Sequence, residues 1–159
     1  MILTPTETIQ VAFADTIGPF STLIKAVTWD WCSHTALVID EDEIVEATLK
    51  MGVHRSSLKG LKDRSKRWAI VDWPVYSREA CIEAALSQEG KKYDMAGVFG
   101  VGVHRDWQDP LKWWCSEHTA YSLEQGGPKL YRDRYKHRVT PPDLWKFPHP
   151  IVDSFGLAL

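Results

Sequence analysis

Cysteine is scarce in this chain. Cys32, Cys81 and Cys115 are the only three in 159 residues, widely separated and with no CxxC pair. That spacing argues against a zinc knuckle or a redox dithiol, and an odd, scattered set makes a poor disulfide framework. A reducing compartment is the simplest setting. Long apolar runs are also missing: nothing approaches the ~18 consecutive apolar residues of a membrane span. The opening MILTPTETIQVAFAD has no basic start and is broken by Pro5 and Glu7, so it does not read as a secretory signal. A cytoplasmic location is expected, with virion association or signal-independent export as alternatives. Charge of one sign is lacking too. A net charge of −2 gives no global attraction to nucleic acid or to an acidic membrane. There is no internal repeat and no low-complexity linker, so residues 1–159 read as a single domain, long enough to bury roughly 70% of its unfolded surface without a metal or disulfide.

Tryptophan is abundant instead, with eight residues that suit core packing or, as the alternative, a groove lined by rings. Ile9 to Ala14 alternates as a strand and Gly18-Pro19 marks a turn. Phe20 to Trp29 has helical spacing at Leu23, Ile24 and Val27. Ser33 to Ile39 (SHTALVI) and Ile44 to Leu49 (IVEATL) flank an acidic turn and read as a hairpin. His54 to Arg67 is polar and basic and reads as a strand edge and loop. Trp68 opens a further strand, WAIVDWPV, which Pro74 helps to end. Ser77 is a good N-cap for REACIEAALSQE and Gly90 a good stop; Cys81 falls on the apolar side of this helix as a buried core thiol. The Gly-rich GVFGVGVH lacks the Lys-Ser/Thr of a phosphate loop. Glu117 to Gln125 is helical, stopped by Gly126-Gly127-Pro128, and Thr140-Pro141-Pro142-Asp143-Leu144 resembles a helix start. The expected class is α+β with an antiparallel sheet.

The stretch Lys112-Trp113-Trp114-Cys115-Ser116-Glu117 puts a thiol at the start of a helix. There the free backbone N–H groups and the positive end of the helix dipole favour thiolate, and the same N–H groups can hold an oxyanion. A cysteine nucleophile needs a base, and the base a residue that orients it. Of six histidines, His118 is tied to the same rigid helix as Cys115 and reads as an exposed or satisfied helix residue. His54, His137 and His149 read as solvated, and His104 lies in the Gly-rich stretch. His34 opens an apolar strand, where neighbours would hold the ring; a core-edge histidine bonded to a carbonyl is the alternative. Glu46 sits among apolar residues in IVEATL, and a buried carboxylate needs a partner. If residues 40–42 form the turn, even positions pair with even. Glu46 then lies opposite Ala36 and diagonal to His34, about 7–8 Å away between Cα atoms and within side-chain reach. A turn over residues 40–43 would put it on the wrong face. Cys32 shares the parity of His34 and has no role beyond packing.

The ordered set SHTALVI at 33–39, VEA at 45–47, KYD at 92–94, CSE at 115–117 and TPPDL near Thr140 resembles the circularly permuted papain-like cysteine hydrolases, relatives of NlpC-type cell-wall peptidases and of lecithin:retinol acyltransferase. The resemblance implies Cys115 as nucleophile, His34 as base and Glu46 as the polar third member. It also implies Tyr93 as an aromatic bordering the site whose hydroxyl helps the oxyanion; Trp114, beside Cys115 in sequence, is a further candidate substrate contact. It implies an amide-cleaving reaction through a thioester, on a peptide or cell-wall stem peptide, with no metal or organic cofactor. Two alternatives share the fold: a thioesterase or acyltransferase whose Trp113, Trp114 and basic stretches dock an anionic, acyl-bearing substrate, and a non-catalytic phage or bacterial binding module. A zinc site at Cys32, His34 and His54 is a fourth option.

Overall fold

The computed structural model describes residues 4–96, 112–131 and 138–158. The Gly-rich stretch with His104, and most of the basic stretch with His137, lie outside them.

The elements assemble around one sheet. It has six strands in the order β4-β3-β2-β1-β5-β8, every neighbouring pair antiparallel. Strand β1 is Glu7–Thr16, β2 His34–Asp40, β3 Glu43–Thr48, β4 Gly52–Ser57, β5 Ser65–Val75 and β8 Ile151–Phe155. The two central strands, β1 and β2, are apolar on both faces, as strands covered on both sides must be. One face carries Ala12, Ala14, Ala36, Val38 and Ile44 against Leu58 and Leu61 of the short helix α2, Leu58–Asp63. The other carries Val11, Phe13, Leu37 and Trp73, packed with Cys81 and Ala85 of α3 (Arg78–Leu86), Leu123 of α4 (Cys115–Gly126) and Leu144 of α5 (Pro141–Trp145). Helix α1, Pro19–Thr28, links β1 to β2.

Caps behave as their chemistry dictates. Ser77 accepts from the Ala80 N–H at the start of α3, and Thr140 forms a full capping box with Asp143. Helix α3 ends at Leu86, earlier than the expected run to Glu89. The polar stretch expected to be edge and loop holds β4 and α2, and β5 begins at Ser65 rather than Trp68. Ser57 caps α2 through the Gly60 N–H, and Leu58 and Leu61, one turn apart, supply its buried side.

Two close approaches fix where the site forms. Gly126 sits where a Cβ would meet the Ser77 carbonyl and the Cys81 sulfur, which lets α4 press against α3. Gly52, at φ +68, takes the left-handed turn before β4, and a Cβ there would strike the Lys91 carbonyl. Val53 N–H donates to that carbonyl at 2.8 Å. The link holds β6, Lys92–Tyr93, beside the main sheet. Strand β6 pairs in parallel with β7, Lys112–Trp113, setting Tyr93 level with Trp113. Trp114 and Cys115 follow directly, so Tyr93 is delivered to the start of α4.

Candidate active site

The thiol, the imidazole and the carboxylate converge. Cys115 is the first residue of α4, and its N-cap, Trp114, has extended backbone and offers no side-chain cap. The first-turn N–H groups are therefore left for the site. Two backbone N–H groups reach the sulfur, one from Ser116 in that turn and one from Thr35 at the start of β2. His34 hydrogen-bonds Cys115 on one side and Glu46 on the other. Its Nε2 lies 2.6 Å from Glu46 Oε2, which leaves Nδ1 for the thiol. The three side chains are almost fully enclosed, with Glu46 at 0%, Cys115 at 1% and His34 at 8% exposure.

The β2–β3 register is what brings His34 and Glu46 to one face. Leu37 pairs with Val45 and Val38 with Ile44, and the same register continues to set Glu46 opposite Ala36. Sequence parity anticipated this register but not its route. The turn is only two residues long, with Asp40 paired to Glu43, and a bulge between Val38 and Asp40 restores the even-with-even pairing.

Glu46 is the hub of the charge network. It accepts from His34, from Ser56 Oγ at 2.5 Å and from Arg64 Nη2 at 2.5 Å, while His54 Nε2 lies 3.6 Å from its other oxygen. His54, expected to be solvated, is thus part of the site: it sits opposite Glu46 across β3–β4 and fixes its own ring through Nδ1 and the Gly52 carbonyl at 2.9 Å. Arg64, Ser56 and His54 all come from the stretch that reads as solvated polar surface. The one available signal was the buried carboxylate itself, which demanded more partners than a single imidazole.

These contacts set the ionisation states. Burial raises the pKa of Glu46, but the hydrogen bond and charge of His34, with Arg64 and Ser56, hold it well below the carboxylate range. Burial lowers that of His34, yet bonds to Cys115 and Glu46 and their negative charge lift it to about 9. Burial raises Cys115, and the His34 bond and charge plus the two N–H groups outweigh it, leaving the thiol below its ordinary value. The set favours thiolate and imidazolium together. The other cysteines behave oppositely. Burial pushes Cys81 up to about 11, and Cys32, also fully buried and close enough to feel the Cys115 charge, is likewise raised well above its ordinary value. Both are core thiols.

Tyr93 is where the resemblance implies. Its hydroxyl hydrogen-bonds Cys115, and its ring packs edge-on against Phe20 at 5.6 Å. Trp114 is not a substrate contact: it is 1% exposed and packs in the core behind the helix start. Trp113 is half-buried against Tyr121, which also removes the proposed tryptophan docking pair. His118 is fully buried, bonded through Nε2 to the Ala85 carbonyl at 3.2 Å, and burial lowers it to about 4; it is a neutral core histidine. His149, expected in solvent, lies 3.9 Å from the Trp73 ring. No grouping of three or more His, Cys, Asp or Glu among the described residues could hold a metal ion, so Cys32, His34 and His54 do not form one.

A cleft of about 200 Å³ leads to His34 and Tyr93 between α1 and the end of β3, walled by Ile17, Phe20, Ile24 and Leu49. No helix among the described residues is long and apolar enough to cross a membrane.

No protein-family model matches the chain, and no curated protein matches it. Among solved structures it is similar to one titled as the crystal structure of metalloprotein yiiX from Escherichia coli O157:H7, DUF1105. The TM-score is 0.60 at 19% identity, covering 77% of this chain and 67% of the other. At that identity the likeness speaks for a shared α+β fold alone.

Proposed function

We propose that this chain is a cysteine hydrolase of the permuted papain-like type, cleaving an amide bond through Cys115, His34 and Glu46. The observation that carries the reading is the buried constellation in which the His34 ring faces the Cys115 thiol on one side and lies 2.6 Å from the Glu46 carboxylate on the other. The Cys115 thiolate attacks the carbonyl carbon and the C=O electrons move to oxygen. That oxyanion is met by the Cys115 N–H at the uncapped helix start and by the Tyr93 hydroxyl. The imidazolium proton passes to the leaving nitrogen as the C–N bond breaks, leaving a thioester on Cys115. His34, now neutral, takes a proton from water, which attacks the thioester and releases the acid. Glu46 fixes the ring throughout, and Arg64 and Ser56 fix Glu46.

The structural neighbour is titled a metalloprotein. The residues here do not fit a cation at Glu46: its oxygen that faces His34 also carries the Arg64 guanidinium, whose positive charge a metal would have to displace. No step of the mechanism is routed through a metal.

An acyl-bearing ester or thioester is the second reading. It is favoured by Ile17 and Leu49, which line the cleft yet stand 65% and 51% exposed at its mouth. Incubation with a panel of peptide amides, peptidoglycan fragments, acyl thioesters and phospholipids, read by intact-protein mass, tests both. Acyl mass added at Cys115 by the amides supports the first reading and by the lipids or thioesters alone the second. No adduct and no turnover from any of them contradicts hydrolysis.

A further inference from the structure

The cleft carries one permanently charged side chain among the described residues that line it, Arg64, and no acidic one. Nearby cations are already engaged elsewhere: Lys25 and Arg67 both bind Asp15, at 2.5 Å and 2.9 Å. Arg64 is different. It contributes a single Nη2 contact to Glu46, and its side chain remains 42% exposed at the cleft wall. A guanidinium has five N–H donors in a planar fork, so among the described residues most of its capacity is unspent. The partner that matches such a fork, beside apolar walls, is a carboxylate.

We propose that Arg64 binds a carboxylate on the leaving-group side of the substrate, so that the site takes short peptides or N-acyl amino acids and releases their terminal amino acid. This rests on the hydrolase reading. Distance supports the pairing. His34 Nε2 and Arg64 Nη2 contact the same oxygen of Glu46, at 2.6 Å and 2.5 Å, so Nδ1, the ring nitrogen that faces Cys115, lies within about 7 Å of the guanidinium nitrogen, a gap that a hydrogen bond of about 3 Å at each end largely closes. His34 protonates the leaving nitrogen, and in an amino acid the α-carboxylate sits two bonds from that nitrogen. One residue therefore spans the gap from the imidazole to the guanidinium. The apolar wall of the cleft, with Ile17, Phe20 and Leu49, suits an apolar side chain on the acyl side.

The test uses two matched substrates, an N-acetyl dipeptide with an apolar first residue ending in a free carboxylate and the same compound ending in a carboxamide. The wild-type protein is expected to prefer the carboxylate by about 10- to 100-fold in kcat/KM, the range for a charge-assisted pair. Arg64→Gln is expected to bring that ratio near one, and Arg64→Lys to keep part of it. Loss of Glu46 support alone would slow both substrates equally, so an unchanged ratio in Arg64→Gln overturns the proposal. A wild-type ratio near one does so as well. Thermal unfolding of each variant separates misfolding from lost recognition, with Arg64→Lys as the milder change. If neither substrate is hydrolysed, calorimetric titration of Cys115→Ala with an N-acetyl amino acid and its amide decides. Carboxylate-dependent binding that disappears with Arg64→Gln upholds the anion site while the hydrolase reading fails. Equal or absent binding of both overturns the anion site.

Discussion

Replacing Cys115 by alanine is expected to abolish turnover of the best amide substrate, lowering kcat by on the order of 10⁴ or more, with little change in the unfolding midpoint. Among the described residues of the site, the thiol is the group that the imidazole activates, so the proposed covalent intermediate depends on it. His34→Ala should cost a similar factor, and the double variant little more than either single one, because the two act as a unit. The stability of Cys115→Ala should hold because the surrounding core, Thr119 bonded to Thr35 at 3.1 Å and Ser116 bonded to the Val139 carbonyl at 2.5 Å, does not depend on the sulfur. Activity retained within tenfold of wild type in Cys115→Ala would mean that chemistry, if any, happens elsewhere.

Glu46→Ala is expected to carry the largest stability loss of any single change in the site, about 3–5 kcal/mol, the range for removing one partner of a buried ion pair. It strands the His34 imidazolium and the Arg64 guanidinium around an emptied position and leaves Ser56 without its acceptor. Denaturant unfolding at a series of pH values checks both the size and the sign. The folded pKa of Glu46 is depressed, so its contribution is present above its ordinary value of 4.5 and fades as pH falls below it. That of His34 is raised, so the contribution of its proton is full below 6.5 and is lost as pH rises toward about 9. The difference between wild type and Glu46→Ala should therefore be greatest between those two ordinary values, near pH 4.5–6.5. A difference that does not vary with pH would show that Glu46 acts through shape and not charge. Glu46→Gln keeps the shape and loses the charge; activity should fall by about 10²–10⁴-fold through loss of the oriented imidazolium.

The parts of the site that were legible in the sequence were those set by local pattern. A thiol before a helical run, an imidazole opening an apolar strand and a carboxylate surrounded by Ile44, Val45 and Ala47 each violate a simple packing expectation, and hairpin parity limits how the last two can meet. The bulge between Val38 and Asp40 was not legible, because an acidic turn offers several pairings of similar cost. Arg64, Ser56 and His54 were missed for a different reason. A basic segment with only Leu58 and Leu61 on its buried side has almost no amphipathic signal, so it reads as surface. Its polar side chains reach inward because Glu46 must be satisfied, which is a tertiary demand. Trp114 was misplaced because its position beside Cys115 says nothing about direction. In an extended N-cap, neighbouring side chains point apart, and the indole goes to the core. Strand β8, with Ile151, Val152 and Phe155 largely exposed, lacks the buried alternation that marks a strand in sequence.

The pairing of Cys115 with His34 is tested most directly by the pH dependence of alkylation at Cys115, mapped by peptide mass in wild type and in His34→Ala. The account predicts that the inflection of wild-type Cys115 lies below the ordinary thiol value, that it moves up toward or beyond that value in His34→Ala, and that Cys32 and Cys81 stay unmodified throughout. An inflection at or above the ordinary thiol value in wild type, unmoved by the loss of His34, would contradict it.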